Sequence, residues 1–174
     1  MDLVMHLTGL GFSAAANRVE NVIGKDDDWK PREKTMAERV MEMAEPLRRS
    51  NYLRSRGIDT PPPGLYGVRE LDYYEDGKLA GAYPAIIAPL VRNGKLVTVQ
   101  ATYLQGGKKA PVKHPKKTLP GPYETINGAA VVMRKWAGGS EPIGFAEGVE
   151  TAISASILYD HPVRACLSTS GLLS

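Results

Sequence analysis

Glu147 and Glu150 stand on either side of Gly148 and Val149, directly after the apolar stretch Pro142-Ile143-Gly144-Phe145-Ala146. That stretch reads as a strand ending at Glu147, and Thr151 to Tyr159 has helical character. A carboxylate where a parallel strand gives way to a helix lies at the carboxyl edge of the sheet, where open α/β sheets bind ligands. Gly148 permits the tight turn, and Glu150 can present a second carboxylate near the first helical turn. Two hard oxygen donors at one edge suit Mg²⁺, which takes carboxylates, water and phosphates in preference to nitrogen or sulfur. The alternative is that both acids only complement the positive end of the helix dipole.

The second group is cationic. From Lys78 to Pro122 there is no Asp or Glu, while Lys78, Arg92, Lys95, Lys108, Lys109, Lys113, Lys116 and Lys117 all fall there. The net charge of +3 is too small to argue for nucleic acid, but a one-sided distribution is the footprint of a surface that meets phosphates. Lysines contact phosphates as point charges without reading bases, so such binding is salt-steep and independent of sequence. The competing reading is a solvated loop. His6 and His114 lack metal-ligand spacing; His6 reads as a helix-surface residue, His114 as an auxiliary phosphate contact and His161 as a loop residue. Trp29, Trp136 and the tyrosines can stack bases or fill a core. Cys166, the single cysteine, excludes an intramolecular disulfide and any cysteine-clustered zinc site in the chain, and reads as a buried strand residue.

These groups need a scaffold. A chain of 174 residues that is 43% hydrophobic and 24% charged has the makings of a globular core. No apolar run approaches the roughly 20 residues of a membrane-spanning helix, so a cytoplasmic location is expected. Two short helices are predicted before Gly24, the second capped by Ser13, then a polar linker over residues 25–32. A longer amphipathic helix is predicted from Glu33 to Arg49, with Met36, Val40, Met43, Ala44 and Leu47 on one stripe. After a helical turn from Asn51 to Ile58, Pro61-Pro62-Pro63-Gly64 reads as a rigid break. Downstream, Leu65 to Tyr74, Pro84 to Val91 and Lys95 to Leu104 read as strands, with turns at Glu75-Asp76-Gly77 and Asn93-Gly94. Asn-Gly supplies the positive φ angles of a two-residue hairpin. Gln105 to Gly121 reads as a loop, and Ala129 to Met133 and Val163 to Leu167 as further strands. Strand, helix and strand from Pro142 to Leu167 imply parallel pairing. The expected fold class is α/β in its final part and α+β overall. The expected divisions are a helical region (residues 1–60), a β-rich basic region (61–138) and the start of a parallel α/β sheet (139–174).

Ile143-Gly144-Phe145-Ala146-Glu147-Gly148-Val149-Glu150-Thr151-Ala152 resembles the first motif of the Toprim domain, in the form found in phage, satellite and integrative-element DNA primases. The likeness extends upstream. Tyr83-Pro84-Ala85-Ile86-Ile87-Ala88-Pro89, Gly94-Lys95-Leu96-Val97 and Thr102-Tyr103-Leu104 look like the hairpin that precedes the Toprim core. Lys116-Lys117-Thr118-Leu119, with Glu124-Thr125 beyond, is similar to the lysine segment lining the basic groove of bacterial primases. Tyr52-Leu53-Arg54-Ser55-Arg56-Gly57-Ile58 and the first helices also look familiar, the latter as those following a zinc ribbon. The resemblance implies that Glu147 is the catalytic acid/base beside a Mg²⁺ or Mn²⁺ site, with Glu150 as the second acid of the motif and a further metal-ligand candidate. It implies that Lys108, Lys109, Lys113, Lys116 and Lys117 hold single-stranded DNA template or nucleoside triphosphate, and that a replicative helicase is a candidate partner. Two departures stand out: the Asp-x-Asp pair of the family's second motif has no counterpart before Ser174, and the zinc ribbon has none after Met1. The expectation is therefore a primase fragment, inactive by itself. Alternatives are a Toprim-type nuclease or topoisomerase-like enzyme, or a non-catalytic nucleic-acid-binding module.

Overall fold

The structure, a computed structural model, describes residues 2–23 and 32–168. The chain divides into two compact units between Glu33 and Lys34. The linker expected at residues 25–32, apart from Arg32, lies outside the described residues, as does Trp29. The first unit contains α1 (Asp2–Thr8) and α2 (Phe12–Ile23). Ser13 is not the N-cap of α2: the carbonyl of Gly11 already accepts the Ala15 N–H at 2.9 Å, so Ser13 sits inside the first turn.

In the second unit the helix expected from Glu33 to Arg49 is shorter, and both ends have a local cause. Thr35 caps α3 (Met36–Met43): its hydroxyl accepts from the Glu38 N–H, and the Glu38 carboxylate accepts the Thr35 N–H at 2.8 Å. This reciprocal capping box fixes the start. At the other end Ala44 turns extended, and Glu45–Pro46 pairs with a neighbouring strand as β1; a proline cannot carry the helix on, because it has no N–H and its ring meets the preceding turn. The apolar stripe divides accordingly. Val40 is buried with Met36 and Ala44 against one cluster, Leu47 packs on another, and Met43 is exposed. The short helix α4 (Asn51–Arg54) follows, capped by the Ser50 hydroxyl, which accepts the Leu53 N–H at 3.2 Å.

The sheet is built on a meander of β2 (Tyr66–Glu75), β3 (Lys78–Arg92) and β4 (Lys95–Gln105). Both connections are two-residue turns with left-handed backbone, Asp76-Gly77 at φ 49° and 78° and Asn93-Gly94 at φ 52° and 74°, the geometry whose twist matches that of the flanking strands. The segment from Gln105 to Gly121, expected as a loop, contains two short strands: β5 (Lys108–Lys109) and β6 (Lys116–Thr118) both pair antiparallel with β4. The turn into β5 is made by Gly106-Gly107, again with positive φ. Their glycine, lysine and proline content masks them, since a two- or three-residue strand has too few residues to show alternation.

β7 (Ala130–Val132) pairs with the end of β3 and antiparallel with β9 (Val163–Ala165), which runs parallel to β8 (Gly144–Ala146). The main path through the sheet is β1-β2-β3-β7-β9-β8. α5 (Val149–Tyr159) connects the two parallel strands, so the expected strand-helix-strand unit is present, and the fold is α+β with a mixed sheet. Among the described residues no helix is long and apolar enough to cross a membrane.

β3 explains how the meander holds together. Ile86, Ala88 and Leu90 enter a core shared with Tyr52, Leu53, Val149, Ala152 and Ile153, while Ala85 and Ile87 enter a second core with Ala37, Val40, Tyr73 and Tyr103. Side chains alternate along a strand, so a strand covered on both faces reads as a continuous apolar run, as Ala85 to Leu90 does. The helices α3 and α4 thus share a unit with the sheet, and the proline run expected as a boundary lies within that unit. Cys166 is buried, and burial pushes its thiol pKa up.

Gly64 closes the proline run with φ +86°, and a Cβ there would lie 2.3 Å from the Val132 carbonyl oxygen in β7. Neither the backbone nor the strand can yield cheaply. Gly64→Ala is expected to cost about 2 kcal/mol or more of folding stability in a urea-unfolding measurement; an unchanged midpoint would show that this approach is not tight.

Candidate functional site

Glu147 follows the last residue of β8 and precedes Gly148, the extended N-cap residue of α5. Past the two strands the parallel ladder continues: the Ala146 carbonyl accepts the Cys166 N–H and the Glu147 carbonyl accepts the Leu167 N–H, each at 2.9 Å. These bonds hold the Glu147 backbone at the carboxyl end of the parallel pair. Its side chain is exposed, and among the described residues it has no hydrogen bond or ion pair.

Glu150 has a different environment. Lys116 Nζ lies 2.5 Å from Glu150 Oε2, with both side chains largely shielded, 28% and 17% exposed. The Tyr52 hydroxyl donates to Glu150 Oε1 at 2.7 Å, and the Arg56 guanidinium lies 5.4 Å from the Tyr52 ring centroid. Burial alone would raise the Glu150 carboxyl pKa. Hydrogen bonds from Lys116 and Tyr52, its own backbone amide and the Lys116 charge outweigh burial and hold it at about 2. The Tyr52 phenol is pushed above its ordinary range, by burial first and then by the adjoining carboxylate.

The contact joins three distant parts of the chain: α4, β6 and the first turn of α5. It also changes the expected assignments. Glu150, a candidate metal ligand on sequence grounds, has one carboxylate oxygen on Lys116 and the other on Tyr52. Lys116, a candidate phosphate contact, is committed to that carboxylate. Among the described residues no group of three or more His, Cys, Asp or Glu side chains gathers to hold a metal ion. Glu147 is a single free carboxylate, and a divalent cation beside it would need donors other than these.

The remaining lysines separate. Consecutive residues of a strand point to opposite faces, so while Lys116 reaches Glu150, Lys117 turns to the second core, where its ammonium lies 4.1 Å from the Tyr73 ring centroid and donates to the Tyr74 carbonyl. Lys108 and Lys113 are exposed, and Lys109 is half-buried on β5. His6 is exposed, as is His114, whose backbone N–H donates to the Tyr73 hydroxyl at 3.2 Å. Trp136 is exposed and donates to the Glu141 carbonyl at 2.8 Å. Sequence reasoning missed Tyr52 as a site residue. Its partner is 98 positions away, and nothing in its own neighbourhood distinguishes it from a core tyrosine.

A family model described as Domain of unknown function (DUF7146) matches residues 31–131, and the chain belongs to that family. The matched stretch includes α3, α4, Tyr52 and the lysine strands, and ends within β7, ahead of Glu147 and Glu150. Comparison with curated proteins and with solved structures gives no match.

The low Glu150 pKa fixes a pH dependence. An unfolded chain protonates this carboxyl near its ordinary 4.5, and the folded chain only near about 2. Its stabilising contribution is therefore complete above the unfolded value and is lost as pH falls through the folded one. Unfolding free energies measured between acid and neutral pH should drop, for the native chain, by on the order of 3 kcal/mol more than for Glu150→Gln. Parallel pH profiles would contradict the assignment.

Proposed function

We propose that this chain is part of a Toprim-type DNA primase, in which Glu147 is the proton acceptor for nucleotidyl transfer on a single-stranded template. The observation that carries the reading is the position of Glu147: an exposed carboxylate with no side-chain partner among the described residues, at the carboxyl end of a parallel strand and the start of a helix. Ligand sites of α/β sheets form at this edge.

The surroundings support the same reading. Glu150 clamps the lysine-bearing strand β6, through Lys116, to the first turn of α5, three residues after the free carboxylate of Glu147. In primer synthesis a 3′-hydroxyl must lose its proton as its oxygen attacks the α-phosphorus of a triphosphate, and pyrophosphate leaves. Glu147 is suited to accept that proton. Lys108, Lys109 and Lys113 are suited to hold template or triphosphate phosphates, whereas Lys116 positions the strand. The resemblance calls for Mg²⁺ or Mn²⁺, whose role in such chemistry is to neutralise phosphate charge. The described residues do not by themselves fit that ion.

A second reading also has an observation in its favour. Glu150 is structural and the family match stops before Glu147, as a non-catalytic nucleic-acid-binding module would have it. The two readings separate in a primer-synthesis assay with a polypeptide that carries this chain together with the acidic strand implied by the resemblance. Nucleotide incorporation on single-stranded DNA should fall by at least about a hundredfold in Glu147→Gln, the scale of a lost general base, while template affinity stays level. Undiminished incorporation would defeat the catalytic role, and strand cleavage in place of incorporation would point to a nuclease.

A further inference from the structure

We infer that a second cleft, on the face of β6 opposite Glu150, binds an unstacked base of a single-stranded nucleic acid. This rests on the nucleic-acid side of the proposed function and not on catalysis at Glu147.

β6 pairs only with β4, and β2 beyond Gly67 pairs only with β3, so among the described residues each presents a free edge. The meander curves until these edges face one another. Lys117 on β6 donates to the Tyr74 carbonyl of β2, and the Tyr103 hydroxyl donates to the Asp72 carbonyl at 3.1 Å. The Ala37 N–H, donating to the Pro120 carbonyl at 2.9 Å, brings α3 to the same place. Between the edges lies a cleft of about 420 Å³, lined by Met36, Asp72, Tyr74, Tyr103, Lys117 and Leu119 among others. That volume is within the range of small-molecule sites.

The lining selects the class of ligand. Behind the cleft, Tyr73, Tyr83 and Tyr103 form an edge-to-face cluster, with Tyr73 and Tyr103 centroids 5.1 Å apart and planes at 84°. This geometry fixes the Tyr103 ring rigidly, and burial first, then Tyr73 and Asp72, push its phenol up to about 12, so it stays a neutral donor. Tyr74 lines the cleft yet is 45% exposed. Met36, Tyr74, Tyr103 and Leu119 give the slot an apolar, aromatic lining, with Asp72 exposed beside them and the Lys117 ammonium held by the Tyr73 ring and the Tyr74 carbonyl. The slot thus offers a base a stacking surface, as single-stranded nucleic-acid binders do, and phosphate contacts fall to the exposed lysines of the basic segment. A duplex keeps its bases stacked and could not fill the slot.

The test is a fluorescence-anisotropy titration of this chain with end-labelled thymidine strands of about 12 nucleotides and with abasic strands of the same charge. The native chain should bind the base-carrying strand about tenfold more tightly; Tyr74→Ala should remove that difference and Tyr74→Phe keep it. Truncating the exposed Tyr74 leaves the core intact, and the comparison of the two strands on the native chain does not depend on any variant. Equal affinity for the two strands, or a Tyr74→Ala titration within about twofold of native on the base-carrying strand, would overturn the cleft and leave phosphate binding by the lysines standing. No binding of either strand at low salt would overturn the nucleic-acid reading as a whole.

Discussion

A shielded ion pair organises this molecule. Lys116 and Glu150, only partly open to solvent, carry a desolvation cost that is offset only if the geometry is good and the remaining lone pairs are satisfied. The Tyr52 hydroxyl satisfies the second carboxylate oxygen. The contact therefore demands that α4, β6 and the start of α5 come together. It also divides the labour between two acids three residues apart: one is fixed in a network, and the other stands free at the sheet edge.

That division bears on how a charged motif should be read. Two glutamates flanking a strand-to-helix turn look equivalent in sequence, and both are chemically fit to hold a cation. Their environments separate them. Lys116 and Lys117 differ in the same way, because strand alternation sends one to the clamp and the other to an aromatic core on the opposite face. A basic run is thus a set of individual assignments: Lys108 and Lys113 remain exposed, while Lys116 and Lys117 each have partners.

Much of the fold was legible, and the reasons are local. The Asn93-Gly94 turn and the apolar run from Ala85 to Leu90 state the meander, and the apolar segments on both sides of Thr151 to Tyr159 state the parallel unit. The extent of α3 was legible too, from Thr35, Glu38 and Pro46, but hydrophobic spacing outweighed those signals and carried the expected helix to Arg49. The short strands β5 and β6 were hidden by loop-like composition. Of the candidate site, the place of Glu147 between strand and helix was legible, because it depends on immediate neighbours. Glu150 and Tyr52 could not be assigned, since the contact that defines them spans 98 positions and is set by tertiary packing.

The central claim is that Lys116 and Glu150 act as one clamp, and a double-mutant cycle on folding stability tests it most directly. Unfolding free energies of the native chain, Lys116→Met, Glu150→Gln and the double variant should give a coupling of about 2 kcal/mol or more, with the double variant more stable than the two single losses together imply. Additivity within about 0.5 kcal/mol would mean that the two side chains do not depend on one another, and would contradict the account.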